Sequence, residues 1–243
     1  MEEYITLGHM RELDEGKINK DSEKLCYYIP HHAVLKETST STKLRAVFDA
    51  SMPTTSGLSL NQCLMVGPVV QSDLISVIMR FRVHKIVFTA DITKMYRQVL
   101  LHPDDTCFQR IFWRSNFNDP IKTYELTTVA FGTASAPFLA TRCLIALAEF
   151  CGNKFPITKS VLKRDFYVDD VLTGADTIEK ASEIQQQLQQ ILVGGGFKLS
   201  KWCSNSKELL SEIPENEREN SFPFSLDKNE KVIKTLGMLW FPN

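Results

Sequence analysis

Apolar positions along the chain follow two rhythms, strict alternation and helical spacing, separated by polar, Gly- or Pro-rich stretches. Residues 1–25 are charged and weakly patterned, which suits a short helix or an arm. CYYIPHHAVLK (26–36) is aromatic and β-branched with Pro30 inside it, the composition of an extended edge strand. KLRAVFDAS (43–51) alternates as a strand does, so 26–51 predicts a two-strand ribbon around the polar run 37–42. After the loop SMPTTSGLSLN, DLISVIMRFRVH (73–84) places Leu74, Ile75, Ile78, Met79 and Phe81 at helical spacing. KIVFTAD (85–91) reads as a buried strand ending in an acid, and HPDD (102–105) as a turn. CFQRIFWR (107–114) and KTYELTTV (122–129) predict a hairpin closed by the turn-forming SNFNDP. FGTASAPFLATRCLIALAEFC (131–151) is a helix after an FGT entry, and FYVDDVLTGA (166–175) is a tight hairpin with two acids at its tip. Residues 177–196 form a helix with Ala181, Ile184, Leu188, Ile191 and Leu192 on one side and a Gly stop. FKLSKWCS and TLGMLWF are further short strands. From Lys85 onward the order is strand, hairpin, helix, hairpin, helix, strand. That order predicts an α+β fold, an antiparallel sheet backed by two long helices.

Composition narrows the class of protein. The chain has 243 residues, 43% hydrophobic and 23% charged, which is ordinary for a globular protein and not for a disordered one. No run of about eighteen apolar residues exists to form a membrane-spanning helix. MEEYITLGHM is acidic and unlike a signal peptide, so an intracellular protein is expected. Six cysteines without a CxxC pair read as reduced, mostly buried thiols. A net charge of -1 neither requires nor excludes a nucleic-acid partner, because placement of charge matters more than its sum. Acids gather in 208–230 (Glu208, Glu212, Glu215, Glu217, Glu219, Asp227, Glu230), read as a solvated insertion; QQQLQQ reads as a solvated helix face.

Three carboxylates carry the candidate chemistry. Asp91 ends an apolar strand, and Asp169 and Asp170 sit side by side within a β-branched hairpin. A lone Asp-Asp pair is usually a solvated turn, but here a strand lies on each side and little free loop remains. Carboxylates brought together from neighbouring strands repel one another unless a cation lies between them. Mg²⁺ prefers hard oxygen ligands and substrate phosphates, and two such ions about 3.5–4 Å apart can activate a hydroxyl and stabilise a leaving pyrophosphate. His31 and His32 lack partners at ligand spacing, and Trp113, Trp202 and Trp240 read as packing residues.

Several segments form an ordered set. They are Lys43-Leu44-Arg45-Ala46-Val47-Phe48-Asp49, Leu60-Asn61, Asp91 with Tyr96 five positions later in DITKMY, and Phe131-Gly132-Thr133-Ala134-Ser135-Ala136-Pro137. Tyr167-Val168-Asp169-Asp170, Gly196-Phe197-Lys198-Leu199-Ser200-Lys201 and Leu236-Gly237 follow. In this order and spacing they resemble the fingers and palm motifs of retroelement reverse transcriptases. The wording of YYIPHHAVLK, LRAVFDAS, DITKMYRQ, FGTASAPFLATR, FYVDDVLTGADT and GGFKLSKW is most similar to polyproteins of Bel/Pao-class LTR retrotransposons, over Leu7 to Trp240.

The resemblance implies an RNA-directed and DNA-directed DNA polymerase that transfers dNTPs to a primer 3′-hydroxyl on an RNA or DNA template. It implies two Mg²⁺ ions, with Mn²⁺ as an alternative, held by Asp91, Asp169 and Asp170. Arg45, with Lys43 or Lys36, is implied to clamp the triphosphate, and the backbone amides of Lys94 and Met95 to bind its phosphates. Tyr96 would exclude a ribose 2′-hydroxyl by steric clash, and Phe131 and Gly132 would pack beside base and template. Tyr167, Leu236 and Gly237 would hold the primer, and Lys201 lies near the lysine proposed as general acid for pyrophosphate, with the alignment slipping by a residue or two. The implied domains are an N-terminal arm and fingers over 1–84, with part of the fingers returning in 107–130, and a palm over 85–243. Thumb, connection and RNase H regions are expected to be missing, and the location to be cytoplasmic or within virus-like particles.

Other readings compete. A palm-like sheet can act as an inactive or domesticated nucleic-acid-binding module, since single-strand binders stack bases on a sheet. Bare acids on a binding face would repel phosphate, which weighs against it. Asp49-Ala50-Ser51 resembles the catalytic loop of an aspartic protease only loosely, because no glycine follows. A fragment with an intact site but poor affinity for primer and template is the third reading.

Overall fold

A computed structural model of the chain describes residues 1–14, 16, 18, 25–35, 44–151, 154–219 and 233–240. Its elements, in chain order, begin with α1 (Glu2–Thr6), β1 (Met10–Glu12), β2 (His31–Leu35), β3 (Leu44–Phe48), α2 (Leu60–Cys63), α3 (Leu74–Phe81) and β4 (Ile86–Ile92). Two 3-10 turns (Met95–Gln98 and Thr106–Gln109) lead to β5 (Arg110–Trp113), β6 (Lys122–Leu126), α4 (Ala136–Phe150), α5 (Pro156–Arg164), β7 (Phe166–Tyr167) and β8 (Asp170–Ala175). Last come α6 (Ile178–Gly194), β9 (Leu199–Ser204), α7 (Lys207–Ser211), a 3-10 turn at Glu215–Glu217, β10 (Ile233–Thr235) and β11 (Met238–Trp240). The fold is the α+β arrangement expected, with antiparallel sheets. The chain divides into two compact units, residues Met1–Pro68 with Tyr96–Ala140, and Val69–Met95 with Thr141–Asn243. No helix among the described residues is long and apolar enough to cross a membrane.

In the first unit β1, β6 and β5 form one sheet, and β2 pairs with β3 from His31↔Phe48 to Leu35↔Leu44. The ribbon expected over 26–51 is present, but its first strand starts at His31, after Pro30. Proline has no N–H for a ladder, and Pro30 contributes only its carbonyl, to Asp49 N at 2.8 Å. Residues 37–42 lie outside the described residues. Met10, Ile29, Phe48, Ile111, Tyr124 and Leu126 form the core. Beside them Glu125, 1% exposed, accepts from Arg110 and Arg11 at 3.0 Å each. Two guanidiniums satisfy a carboxylate that would otherwise be costly to bury. β1 was not anticipated, because a three-residue strand in a charged segment is defined only by its distant partner β6. Residues 107–109, expected in a strand, belong to the 3-10 turn.

In the second unit the sheet order is β7-β8-β4-β9, antiparallel throughout. α6 packs on β8 and β4, with Ala181, Ile184, Leu188, Ile191 and Leu192 buried as expected. Its start is capped by Thr177, which accepts from Lys180 N, and the chain leaves it through Gly196 at φ 81. α3 begins at Asp73, whose carboxylate accepts from Ser76 N, and sets Val77 and Phe81 against Val87 and Leu172. The β10–β11 hairpin brings Trp240 edge-on to Phe81, 5.2 Å between ring centroids.

α5 was overlooked, since only Thr158, Val161 and Leu162 of its nine residues are buried and its composition is polar. Gln185, in the run read as a solvated face, is 3% exposed. Only Cys107 and Cys203 are buried; Cys26 and Cys63 are exposed. The acidic tail is not simply solvated. Leu209 and Ile213, four residues apart, are buried, and Glu217 pairs with Lys198 at 2.8 Å. Residues 220–230 lie outside the described residues.

Candidate active site

The register of the second sheet brings the three predicted carboxylates together. Asp91 at the end of β4 stands directly opposite Asp170 at the start of β8, so both project from the same face. Asp169 is one of the two residues of the β7–β8 turn, and its carbonyl accepts from Ile92 N at 2.8 Å. The turn is backed by short flanking pairs, Phe166↔Val171 and Tyr167↔Asp170. Val168, its first residue, has φ 56, a left-handed conformation that is strained for a β-branched side chain. The Val168 N–H donates to Gln71 Oε1 at 2.9 Å.

Lys201 reaches the same carboxylates through a β-bulge. On β9, Ser200 pairs with Asp91 and Cys203 with Thr89, so Lys201 and Trp202 share the place opposite Ala90. Lys201 takes φ 55 there. A bulge of this kind re-aims a side chain. Trp202 enters the core at 1% exposure, while Lys201 Nζ lies 2.8 Å from Asp91 Oδ2.

The electrostatics are those of crowded acids. Burial first, then the charges of Asp169 and Asp91, push the Asp170 carboxyl up to about 7, with Lys201 opposing. Asp169 is raised by burial and by Asp91. Burial works against the charge of Lys201, but its hydrogen bond to Asp91, the Asp91 charge, and Glu219 and Asp170 together raise its pKa.

These groups fit a divalent cation in donor chemistry and in charge. All three are hard oxygen donors, and a cation among them would relieve the repulsion that adds to burial in raising the Asp169 and Asp170 carboxyls. Among the described residues no group of three His, Cys, Asp or Glu side chains is arranged to hold a metal ion, and Lys201 occupies Asp91.

The residues implied to meet the nucleotide lie in the first unit, apart from Lys94 and Met95. Arg45 is exposed on β3. Lys43 and Lys36 lie outside the described residues. Lys94 has φ 53 in the turn after β4, and Met95 is buried at 2% exposure. The Tyr96 ring packs on Phe131, centroids 4.6 Å apart and planes at 53°. Gly132 has φ 98, and a Cβ there would lie 2.2 Å from the Phe48 carbonyl oxygen. Tyr167 is half-buried, and Leu236 and Gly237 form a two-residue turn with φ 48 and 80.

Two further residues support these loops, and sequence reasoning assigned them no role. Asn61 donates from Nδ2 to the Gly132 carbonyl at 2.9 Å and to Ser51 Oγ at 2.8 Å, and its Oδ1 accepts from Ala134 N at 2.7 Å. The Leu-Asn pair was the signal for it. Gln71 left no signal, since nothing in its flanking sequence indicates a partner near Val168.

An antiparallel sheet with acids on two neighbouring strands, one of them a tight hairpin, is the fold of a polymerase palm of the retroviral type, and solved structures share it. The prototype foamy virus protease-reverse transcriptase CSH mutant matches with a TM-score of 0.60 at 16% identity, over 82% of this chain and 22% of that one. The native protein from the same virus gives 0.57 and 17%, over 82% and 22%. The foamy viral protease-reverse transcriptase dRH in complex with double-stranded DNA gives 0.60 and 16%, over 81% and 28%. The chain thus spans between 22% and 28% of the length of these proteins. No curated protein sequence matches it. The family model described as reverse transcriptase (RNA-dependent DNA polymerase) matches residues 18–228, and the chain belongs to that family.

Proposed function

We propose that the chain is the fingers and palm of a template-directed DNA polymerase, which adds dNTPs to a primer 3′-hydroxyl on RNA or DNA. The observation that carries this reading is the Asp91–Asp170 pairing across β4 and β8 with Asp169 in the adjoining turn. Asp91, Asp169 and Asp170 would hold divalent ions, Mg²⁺ or Mn²⁺. When bound, such ions supply charge neutralisation for the attacking and leaving oxygens. The remaining work is positioning and charge compensation by the chain itself. Arg45 and Lys43 neutralise the triphosphate, and the amides of Lys94 and Met95 bind its phosphates. Tyr96 excludes a 2′-hydroxyl, and Phe131 and Gly132 pack beside base and template. Tyr167, Leu236 and Gly237 hold the primer end. Lys201, protonated at Nζ, is the proton donor to pyrophosphate.

Fingers over 1–84 and 107–130, and a palm over 85–243, complete the proposal, with the chain part of the pol polyprotein of a Bel/Pao-class retrotransposon. What supports the retrotransposon assignment is the wording of YYIPHHAVLK, FGTASAPFLATR and FYVDDVLTGADT. A second reading, a nucleic-acid-binding module without polymerase activity, is favoured by the Lys201–Asp91 pair, which takes up one metal-binding oxygen.

The test is primer extension on an RNA template with dNTPs and Mg²⁺, beside Asp169→Asn/Asp170→Asn. Extension by the parent and none by the variant is the expected result. Extension that survives in the variant removes the carboxylates from their role. A parent that binds primer-template but does not extend it favours the second reading.

A further inference from the structure

Val168 and Asp169 are the whole turn between β7 and β8, and both are tied from outside the hairpin. Val168 has φ 56, whereas φ of its neighbour Asp169 is negative. A left-handed first turn residue followed by an ordinary one matches the twist of the flanking strands, but the position normally belongs to glycine. A β-branched residue persists there only when its surroundings over-determine it. Ile92 N holds the Asp169 carbonyl at 2.8 Å, and Gln71 Oε1 accepts the Val168 N–H at 2.9 Å. Gln71 comes from well outside the hairpin, 97 residues earlier in the chain. It stands two residues before Asp73, the capped start of α3, and α3 is anchored to β8 by Val77 and Phe81 against Leu172. The acceptor therefore sits on the short segment that leads into a packed helix.

We infer that Gln71 is a positioning residue for nucleotidyl transfer: its side-chain carbonyl holds Val168 in the left-handed conformation and so fixes where the Asp169 carboxylate stands beside Asp170. The inference rests on the polymerase reading above and assigns that site a residue outside its motifs. Without an acceptor, the Val168 peptide is free to turn over and relieve its strain at negative φ. Asp169, the next residue of the turn, would move with it relative to Asp170 and Asp91, which β4 and β8 hold in register. A displacement of about 1 Å at reacting groups costs on the order of a hundredfold in rate. The required property is an oxygen acceptor at this length. Gln71→Met keeps length without an acceptor, and Gln71→Glu keeps both.

The experiment uses the full 243-residue chain and its Gln71→Met and Gln71→Glu variants. Melting temperature, amide exchange at Val168 by NMR without metal, and kcat and KM in single-nucleotide extension are measured. Gln71→Met should melt near the parent, speed exchange at Val168 by about tenfold or more, and lower kcat by roughly tenfold to a hundredfold with little change in KM. Gln71→Glu should restore most of both. Should Gln71→Met melt well below the parent, the Val168→Gly background decides. Glycine accepts positive φ freely, so the loss of kcat caused by Gln71→Met should shrink there, and an equal loss overturns the inference. Parental kcat in Gln71→Met, or a kcat loss with Val168 exchange unchanged, also overturns it while the polymerase reading stands. A parent chain that extends no primer sinks that reading and the inference together.

Discussion

The Lys201 ammonium lies 2.8 Å from Asp91 Oδ2, carried there by a bulge that places it on the face shared by Asp91 and Asp170. Among the described residues Lys201 is the cation paired with these carboxylates, and it would compete with a divalent ion for the same oxygen.

Removing it should change metal binding more than stability. The pair is partly exposed, with Lys201 at 49% and Asp91 at 23%, so Lys201→Met should cost the metal-free protein no more than about 1 kcal/mol. The same substitution should tighten Mg²⁺ binding, because one competing charge is gone. The check is the rise in melting temperature across a Mg²⁺ titration. An identical dependence in parent and variant would contradict the competition.

Stability should depend on pH through Asp170. Its carboxyl is raised from 3.8 to about 7 in the folded chain, by burial first and by Asp169 and Asp91 next. Folding therefore favours the protonated form, whose stability is complete below the unfolded value and is lost as pH rises through the folded one. Asp170→Asn cannot ionise. Measured without metal, it should match the parent near about pH 4 and exceed it near about pH 8, by at most about 4 kcal/mol at roughly 1.36 kcal/mol per pKa unit. Denaturation at the two pH values reads the difference, and a gap that fails to widen with pH would count against the crowding of charge.

Gly132 should tolerate no side chain. Its φ of 98 disfavours any L residue, and a Cβ would fall 2.2 Å from the Phe48 carbonyl oxygen, a backbone atom that cannot swing aside. Gly132→Ala should destabilise by about 3 kcal/mol or more, and Asn61→Ala, which removes three hydrogen bonds around the same loop, by about 1–3 kcal/mol. Chemical denaturation measures both. A Gly132→Ala protein as stable as the parent would mean the loop is free to open.

Tyr96, braced by Phe131 at 4.6 Å, should control sugar selection. Tyr96→Ala should narrow the preference for dNTPs over rNTPs by about 10- to 200-fold, the range for steric discrimination of a small group. Competing incorporation of the two nucleotides gives the ratio. Unchanged discrimination in a variant that still uses dNTPs would remove Tyr96 from this role.

Elements whose signal is local were legible in the residue pattern alone. α6 is legible because Ala181, Ile184, Leu188, Ile191 and Leu192 repeat at helical spacing between a Thr177 cap and a glycine exit. The β7–β8 hairpin is legible because β-branched residues flank two acids with no room for a longer loop. Motif order then pointed to the family, and the residue types of the three carboxylates to a divalent ion. The remainder depends on partners far away in the chain and emerges with the folded molecule. β1 exists through β6, Gln71 meets Val168 across 97 residues, and the register of β4 with β8 sets Asp91 opposite Asp170. The bulge at Lys201 is the sharpest case: one extra residue breaks the period of two, and no local pattern tells which side chain will face the acids. Alternation along a strand predicts faces, whereas register and bulges arise between strands, where a single chain segment carries no record of its neighbour.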